Sequence, residues 1–337
     1  MAFDAQRVEP GLPGIWRYRH AFGFPESAPV VSLGEGHTSL EWREIQGRQV
    51  GFKLEYENPS GSFKDRGSAV LVSWLKRLGV QEAVEDSSGN AGASFAAYAA
   101  EAGIRARVFI PDAASGPKRQ QIEDYGAQLV RVMGPRSNAA QAVLQEAENG
   151  AVYASHAYLP FVLAGYASLA YELYEQMATT AHGSAPGSII VPAGQGNLML
   201  ALGRGFQALQ KAGLVAQVPR LIGVQALACA PLWAIYRYGA EGLGWVTEGE
   251  TLAEGVRARY PMRGDVLLQW VHEFHGRFVA VEEEKILPGR EHLKSLGFWV
   301  EPTSAITWDA FEQLVKDGGL EDPTVLILTG AGFKSQI

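Results

Sequence analysis

Short apolar runs alternate with segments of helical periodicity along most of this chain, and that alternation constrains the fold more than any other feature. AVEDS (83–87) closes a short strand, and GNAGASFAAYAAEAG (89–103) is an alanine-rich helix ended by Gly103. RARVFIP (105–111), QLVRVMG (128–134) and VYASH (152–156) read as strands, with helices predicted over 117–127, 137–150 and 167–181. SIIVPAG (188–194), PRLIGVQA (219–226) and TVLILTG (324–330) are further strands, the first followed by a helix over 197–213. SIIV and TVLIL are apolar throughout, as strands are when both faces of a parallel sheet are covered. Strand and helix in alternation predict an α/β fold with right-handed crossovers. Residues 1–40 are expected to be irregular, and EEEK (282–285) a solvated helix start.

The 337 residues suggest two domains, at a rule of thumb of about 150 residues each. Hydrophobic residues make up 47% and charged residues 19%, enough for a core and too little charge for bulk disorder. A net charge of −7 argues against nucleic acid as a partner, because phosphate backbones need a basic surface. One cysteine, Cys229, rules out an internal disulfide framework and a cysteine-based zinc site, and it is expected to pack rather than react. The opening MAFDAQRVEPGLPG has no signal-type apolar core, and no apolar run reaches the roughly 18 residues needed to span a bilayer. A cytoplasmic protein is the expectation, with no membrane partner.

Ligands of open parallel sheets bind at the carboxyl ends of the strands, and four loops there are chemically unusual. NPSGSFKDRG (58–67) puts a cation, Lys64, where a helix should begin, although a helix N-terminus prefers anions. A helix start and partial burial both disfavour a charged amine, which is how a lysine becomes fit for Schiff-base chemistry; a surface lysine beside Asp65 is the plain alternative. DSSGNAGAS (86–94) places Ser87, Ser88 and Asn90 before a helix of small residues, where free N–H groups suit a carboxylate or phosphate. PAGQGN (192–197) has Gly194 and Gly196 for close backbone approach, as in a phosphate cradle. It is neither the dinucleotide fingerprint, since Met199 holds the sixth position of GQGNLM, nor a P-loop. LTGAGFKS (328–335) leaves the Thr329 hydroxyl at the end of the last apolar strand.

These stretches, with GLPGIWRYRHAF (11–22), SLGEGHTSLEW (32–42), GPKRQQIEDYGA (116–127), GVQALACAPL (223–232), LAEGV (252–256) and FWVEPTSAITWDA (298–310), resemble the fold-type-II pyridoxal-phosphate enzymes, and among them the threonine synthase-like group. The resemblance keeps the family's order across nearly the whole chain. It implies pyridoxal 5′-phosphate carried on Lys64, with Asn90 at the ring hydroxyl oxygen and Thr329 at the ring nitrogen. Gly194, Gln195, Gly196, Asn197 and Leu198 would wrap the cofactor phosphate. Ser87, Ser88, Gly89 and Ala91 would hold the substrate carboxylate, with Lys118 as a further substrate contact. Two doubly wound α/β domains are implied, with mostly parallel sheets and the cofactor in the cleft between them. The large domain would comprise 1–78 plus 166–337 and the small one 79–165. The resemblance also implies a homodimer acting on a small amino acid.

One segment departs from the family. Threonine synthases carry a stretch like NPFRLEGQKT, whereas this chain has LPFVLAGYAS (159–168), with Leu159, Val162, Ala164, Tyr166 and Ala167 at its polar positions. A phosphorylated substrate needs compensating donors there. Threonine synthase, converting O-phosphohomoserine to threonine and phosphate, is the leading expectation. A dehydratase or ammonia-lyase acting on threonine, serine or diaminopropionate is the alternative, and a non-catalytic binding protein of the same fold a third, against which the retained loops speak. His272 and His275 in HEFH are read as helix residues rather than metal ligands, and His156 as a substrate contact or a packed side chain.

Overall fold

The computed structural model describes residues 2–114 and 116–335. The strands are β1 (Leu40–Ile45), β2 (Arg48–Lys53), β3 (Glu82–Glu85), β4 (Arg105–Pro111), β5 (Gln128–Val132), β6 (Val152–Tyr153), β7 (Ser188–Pro192), β8 (Arg220–Ala226), β9 (Arg277–Val281) and β10 (Thr324–Ile327). The helices are α1 (Lys64–Arg77), α2 (Asn90–Ala102), α3 (Pro117–Asp124), α4 (Arg136–Glu148), α5 (Phe161–Ala178), α6 (Asn197–Lys211), α7 (Pro231–Tyr238), α8 (Gly264–Glu273), α9 (Glu283–Ser295) and α10 (Pro302–Lys316). Most connections are short, and the architecture is α/β with mostly parallel sheets, as the alternation predicts.

The chain forms two compact units. The first gathers the N-terminus through Phe3, then Thr38–Glu57 and Ala167–Gly332. Its six-stranded sheet runs β1-β2-β10-β7-β8-β9 and is parallel except for the β1–β2 hairpin. That hairpin pairs Ile45 with Arg48 around Gln46 and Gly47, both at positive φ, 53° and 75°. Two left-handed residues match the twist of the flanking strands. The central strands fill the core with Phe52, Ile190, Ile222, Val224 and Leu326, covered by Ile306 and Phe311 of α10. Every residue of β7 is buried, which is why SIIV has no polar alternation.

A buried ion pair ties the hairpin to α5 in this unit. Lys53, at the end of β2, donates from Nζ to Glu172 Oε1 at 2.6 Å, Gln176 Oε1 at 2.9 Å and the Thr38 carbonyl at 2.5 Å. Glu172 and Gln176 stand four apart on α5, so one helix face supplies two acceptors. Three acceptors around one ammonium satisfy its hydrogen bonds, the condition under which a buried charge is tolerated.

The second unit gathers Asp4–His37, Asn58–Tyr166 and the segment from Phe333. Its four-stranded sheet, β5-β4-β3-β6, is wholly parallel. Val84, Phe109, Ala139 and Val143 form its core beneath α4. Helices α1 and α2 are joined by a buried hydroxyl pair, Ser94 Oγ to Ser68 Oγ at 2.8 Å. The N-terminal segment contains the 3₁₀ turns Ala5–Arg7 and Gly14–Phe22, and it is pinned by Trp16 Nε1 donating to the Val31 carbonyl at 3.1 Å. Its backbone also accepts from and donates to neighbours; the Val31 N–H meets Ser73 Oγ on α1 at 2.8 Å. Among the described residues no helix is long and apolar enough to cross a membrane.

Two local expectations change. Helix α5 begins at Phe161, not at 167, because Val162, Leu163, Tyr166 and Ala167 give LPFVLAGYAS a buried helical face behind Pro160. His275 lies beyond α8 at φ 52°, so HEFH does not present two histidines on one helix face. Replacing Glu172 by Ala removes the charge facing Lys53 and is expected to cost about 3–5 kcal/mol, read as a lower urea midpoint at unchanged slope.

Candidate active site

In the second unit, NPSGSFKDRG is a loop closed onto the first turn of α1, and Lys64 is the first residue of that helix. Asp65 supplies the anion that the helix start favours. It is fully buried, and its two carboxylate oxygens accept from Ser60, Oδ2 from the N–H at 2.6 Å and Oδ1 from the hydroxyl at 2.5 Å. The Ser60 carbonyl in turn accepts from Lys334 Nζ at 2.5 Å and Gln121 Nε2 at 3.0 Å. The loop is therefore held from three directions, and Lys64 is left half-buried with its Nζ 4.6 Å from the Phe63 ring and 5.8 Å from the Tyr166 ring. Ser62 Oγ, two residues before Lys64, is buried without a hydrogen-bond partner.

The same unit carries Ser87, Ser88, Gly89, Asn90 and Ala91 between β3 and α2. Gly89 is the N-cap of α2 and offers no side-chain acceptor, so the backbone donors of the first turn point out of a helix with no cap of its own. Ser87 is buried, Ser88 to Asn90 are half-buried, and the Gly89 N–H reaches Ser87 Oγ at 3.3 Å. Lys118 is the second residue of α3 and half-buried.

In the first unit, Gly194, Gln195, Gly196, Asn197 and Leu198 link β7 to α6. The N-cap of α6 is Gly196, again without a side-chain acceptor. A Cβ on Gly194 would stand 2.8 Å from the Gly255 carbonyl, so the LAEGV segment lies directly against this loop. Gly196 has φ +75°, and a Cβ there would meet Leu267 at 1.9 Å. Gln195 Oε1 accepts from the Met262 N–H at 3.0 Å, and Asn197 Oδ1 accepts from Arg263 at 2.9 Å. A helix start with no side-chain cap, two required glycines and a nearby guanidinium make a fitting set for a phosphate. Thr329 is buried two residues past β10, its hydroxyl 3.0 Å from Ser304 Oγ at the start of α10.

The stretch 31–330 matches the family model described as pyridoxal-phosphate dependent enzyme. The chain belongs to this family. Threonine synthase of Methanocaldococcus jannaschii is 31% identical over 331 residues, spanning 95% of this chain and 80% of that protein. Threonine synthase of Synechocystis is 31% identical over 329 residues, spanning 95% and 82%. Maize serine racemase superposes with a TM-score of 0.73 at 22% identity, covering 88% of each chain. The cofactor of this pyridoxal-phosphate enzyme is accordingly pyridoxal 5′-phosphate. The residues present fit it, each in its own unit: a buried Ser62 hydroxyl without a partner two residues before Lys64, and a glycine N-cap at α6 that offers no side-chain acceptor to the helix start.

Several polar groups near these loops had no signal strong enough to be singled out beforehand. Ser304 and Arg263 lie far along the chain from the residues they bond. Glu85 and Asp86 directly precede the serine loop, and their position beside it was the available hint. Cys229 is buried, and burial pushes its thiol up, in keeping with packing. Gly196→Ala forces a side chain into a left-handed position and onto Leu267; the expected result is a stability loss of about 1–3 kcal/mol and weaker cofactor binding, checked by thermal unfolding and cofactor titration.

Proposed function

We propose that this chain catalyses elimination or replacement at the β- or γ-carbon of a small amino acid, and that it does so as a threonine synthase, turning O-phosphohomoserine and water into threonine and phosphate. The observation that carries this reading is the continuous similarity to threonine synthases over 95% of the chain, together with the two uncapped helix starts and Lys64.

When bound, pyridoxal phosphate supplies the electron sink for a carbanion at the substrate α-carbon. The chain's own residues do the rest. Lys64 would hold the cofactor, and its amine, when free, would move protons as the general base. Gly194, Gln195, Gly196, Asn197 and Leu198 hold the cofactor phosphate through the α6 N-terminus. Asn90 donates toward the ring hydroxyl oxygen. Thr329, whose hydroxyl meets Ser304 Oγ, would offer the ring nitrogen a neutral partner rather than a carboxylate, which would moderate the electron sink. Ser87, Ser88, Gly89 and Ala91 bind the substrate carboxylate with hydroxyl and N–H donors at the α2 N-terminus, and Lys118 is a further substrate contact.

A second reading, an ammonia-lyase or dehydratase acting on an unphosphorylated amino acid, is favoured by one specific feature. The first turns of α5 bury Val162 and Tyr166 where threonine synthases carry polar groups, and a phosphate dianion needs such donors. A turnover comparison of O-phosphohomoserine, threonine, serine and diaminopropionate separates the readings. Phosphate release from the first supports threonine synthase; 2-keto acid from the others, with no phosphate release, selects the lyase. Lys64→Ala is expected to abolish turnover in either case and to remove the lysine labelled by borohydride reduction.

A further inference from the structure

Glu85, Asp86 and His156 have no role in the reaction as written above, yet they form a buried charge-bearing group in the unit that carries Lys64. Glu85 ends β3 with no exposed side-chain surface, and its Oε1 lies 2.5 Å from His156 Nδ1. Its other oxygen accepts from the Asp86 N–H at 2.6 Å. Asp86 Oδ1 accepts from the Tyr153 hydroxyl at 2.7 Å. The ligand-type atoms of the three residues lie within 4.8 Å of one another. Each of these carboxylates is engaged by a proton donor, so the group is built as a proton-linked network.

The charged and titratable groups facing Glu85 come from every neighbouring element: Lys64 on α1, Asp86 beside it, Arg136 on α4, Tyr153 on β6, His156 after β6 and Tyr166 on α5. Tyr166 links the two sides, because its ring lies 5.8 Å from Lys64 Nζ while its hydroxyl is pushed up first by burial and then by the charge of Glu85. An isolated buried carboxylate is costly and needs partners to persist. Here the bonded partners are His156 and the Asp86 N–H, and the charge of Lys64 also acts on the carboxylate.

We propose that Glu85, held by His156, is a positioning residue for Lys64, fixing the charge beside the amine that carries the cofactor and moves protons. This rests on Lys64 being the cofactor lysine.

Burial, partly offset by its hydrogen bonds and by Arg136 and Lys64, pushes Glu85 up to about 7. Burial first, and then the charge of Lys64, lowers His156 to about 3, so the imidazole stays neutral. A neutral imidazole can donate from Nδ1 when Glu85 is ionised and accept there when Glu85 is protonated. Glu85 therefore changes charge near neutrality with only a tautomer change in its neutral partner. Above that point an anion faces Lys64 and favours the protonated nitrogen; below it the anion is gone.

The test follows the absorbance of the cofactor bound to the full chain as pH is varied. In Glu85→Gln the protonated nitrogen has lost its anion, and the transition moves to lower pH by about one unit or more. In His156→Asn, Glu85 keeps its proton to higher pH, so the transition moves the same way by less. His156 keeps some solvent exposure, so this variant carries the test if Glu85→Gln does not fold. Cofactor bound in both variants with an unmoved transition overturns the proposal. Borohydride reduction and peptide mapping of the same samples distinguish the two failures. Label on another lysine overturns the cofactor assignment and this proposal with it, whereas label on Lys64 with an unmoved transition overturns the role of Glu85 alone.

Discussion

Asp65 sits in the first turn of α1, fully buried, with both carboxylate oxygens accepting from Ser60. That pairing ties Ser60 in the loop to the first turn of the helix, and so helps fix the point from which Lys64 extends. Burial pushes Asp65 up, and the Ser60 hydrogen bonds oppose the push. The helix dipole adds to the same side. A lysine at a helix start, which is electrostatically poor in isolation, is thus tolerated because its neighbour supplies the anion the helix end favours. The Lys334 and Gln121 bonds to the Ser60 carbonyl then immobilise the loop from its other face. Positioning of this kind matters for catalysis, since misplacement by an ångström can be costly.

What could be read in the residues was mostly local. RARVFIP coincides with β4 end to end, and the strands SIIV and TVLIL and the helices starting at Asn197 and Pro117 fall where periodicity puts them. The β1–β2 hairpin was not foreseen, because Gln-Gly is a weaker turn signal than Asn-Gly or Asp-Gly. The helix expected over 167–181 misses the first turns of α5, where Val162, Leu163 and Tyr166 form an apolar face that continues it toward Phe161. The Glu85 network was out of reach for a different reason. Its partners Tyr153 and His156 lie 67 and 71 residues from the carboxylates they bond. Periodicity and capping rules see neighbours within a few positions; they have no access to pairings made by a parallel sheet.

The candidate site draws its anion-binding capacity from backbone more than from side chains. Both α2 and α6 begin with a glycine N-cap that offers no acceptor. Forgoing a side-chain cap weakens each helix slightly, since such a cap is commonly worth about 1 kcal/mol. Under the proposed function, the groups that would meet them are a cofactor phosphate at α6 and a substrate carboxylate at α2. The charge balance around the β3–α2 loop is less one-sided. Lys118 is cationic, while Glu85 and Asp86 bring carboxylates to its preceding strand.

Gly165 and Gly67 show how α1 and the start of α5 are fitted together. A Cβ on Gly165 would fall 1.8 Å from the Arg66 carbonyl, and one on Gly67 would fall 2.6 Å from the Tyr166 ring. Tyr166 occupies a position that is polar in threonine synthases, and here it lies flat over a glycine next to the helix that starts with Lys64. The segment that would choose the substrate is therefore also a wall of the core. Its packing is coupled to α1: a side chain at position 67 would collide with the Tyr166 ring, and one at position 165 with the Arg66 carbonyl, so the two helices hold each other at a distance that only glycine permits.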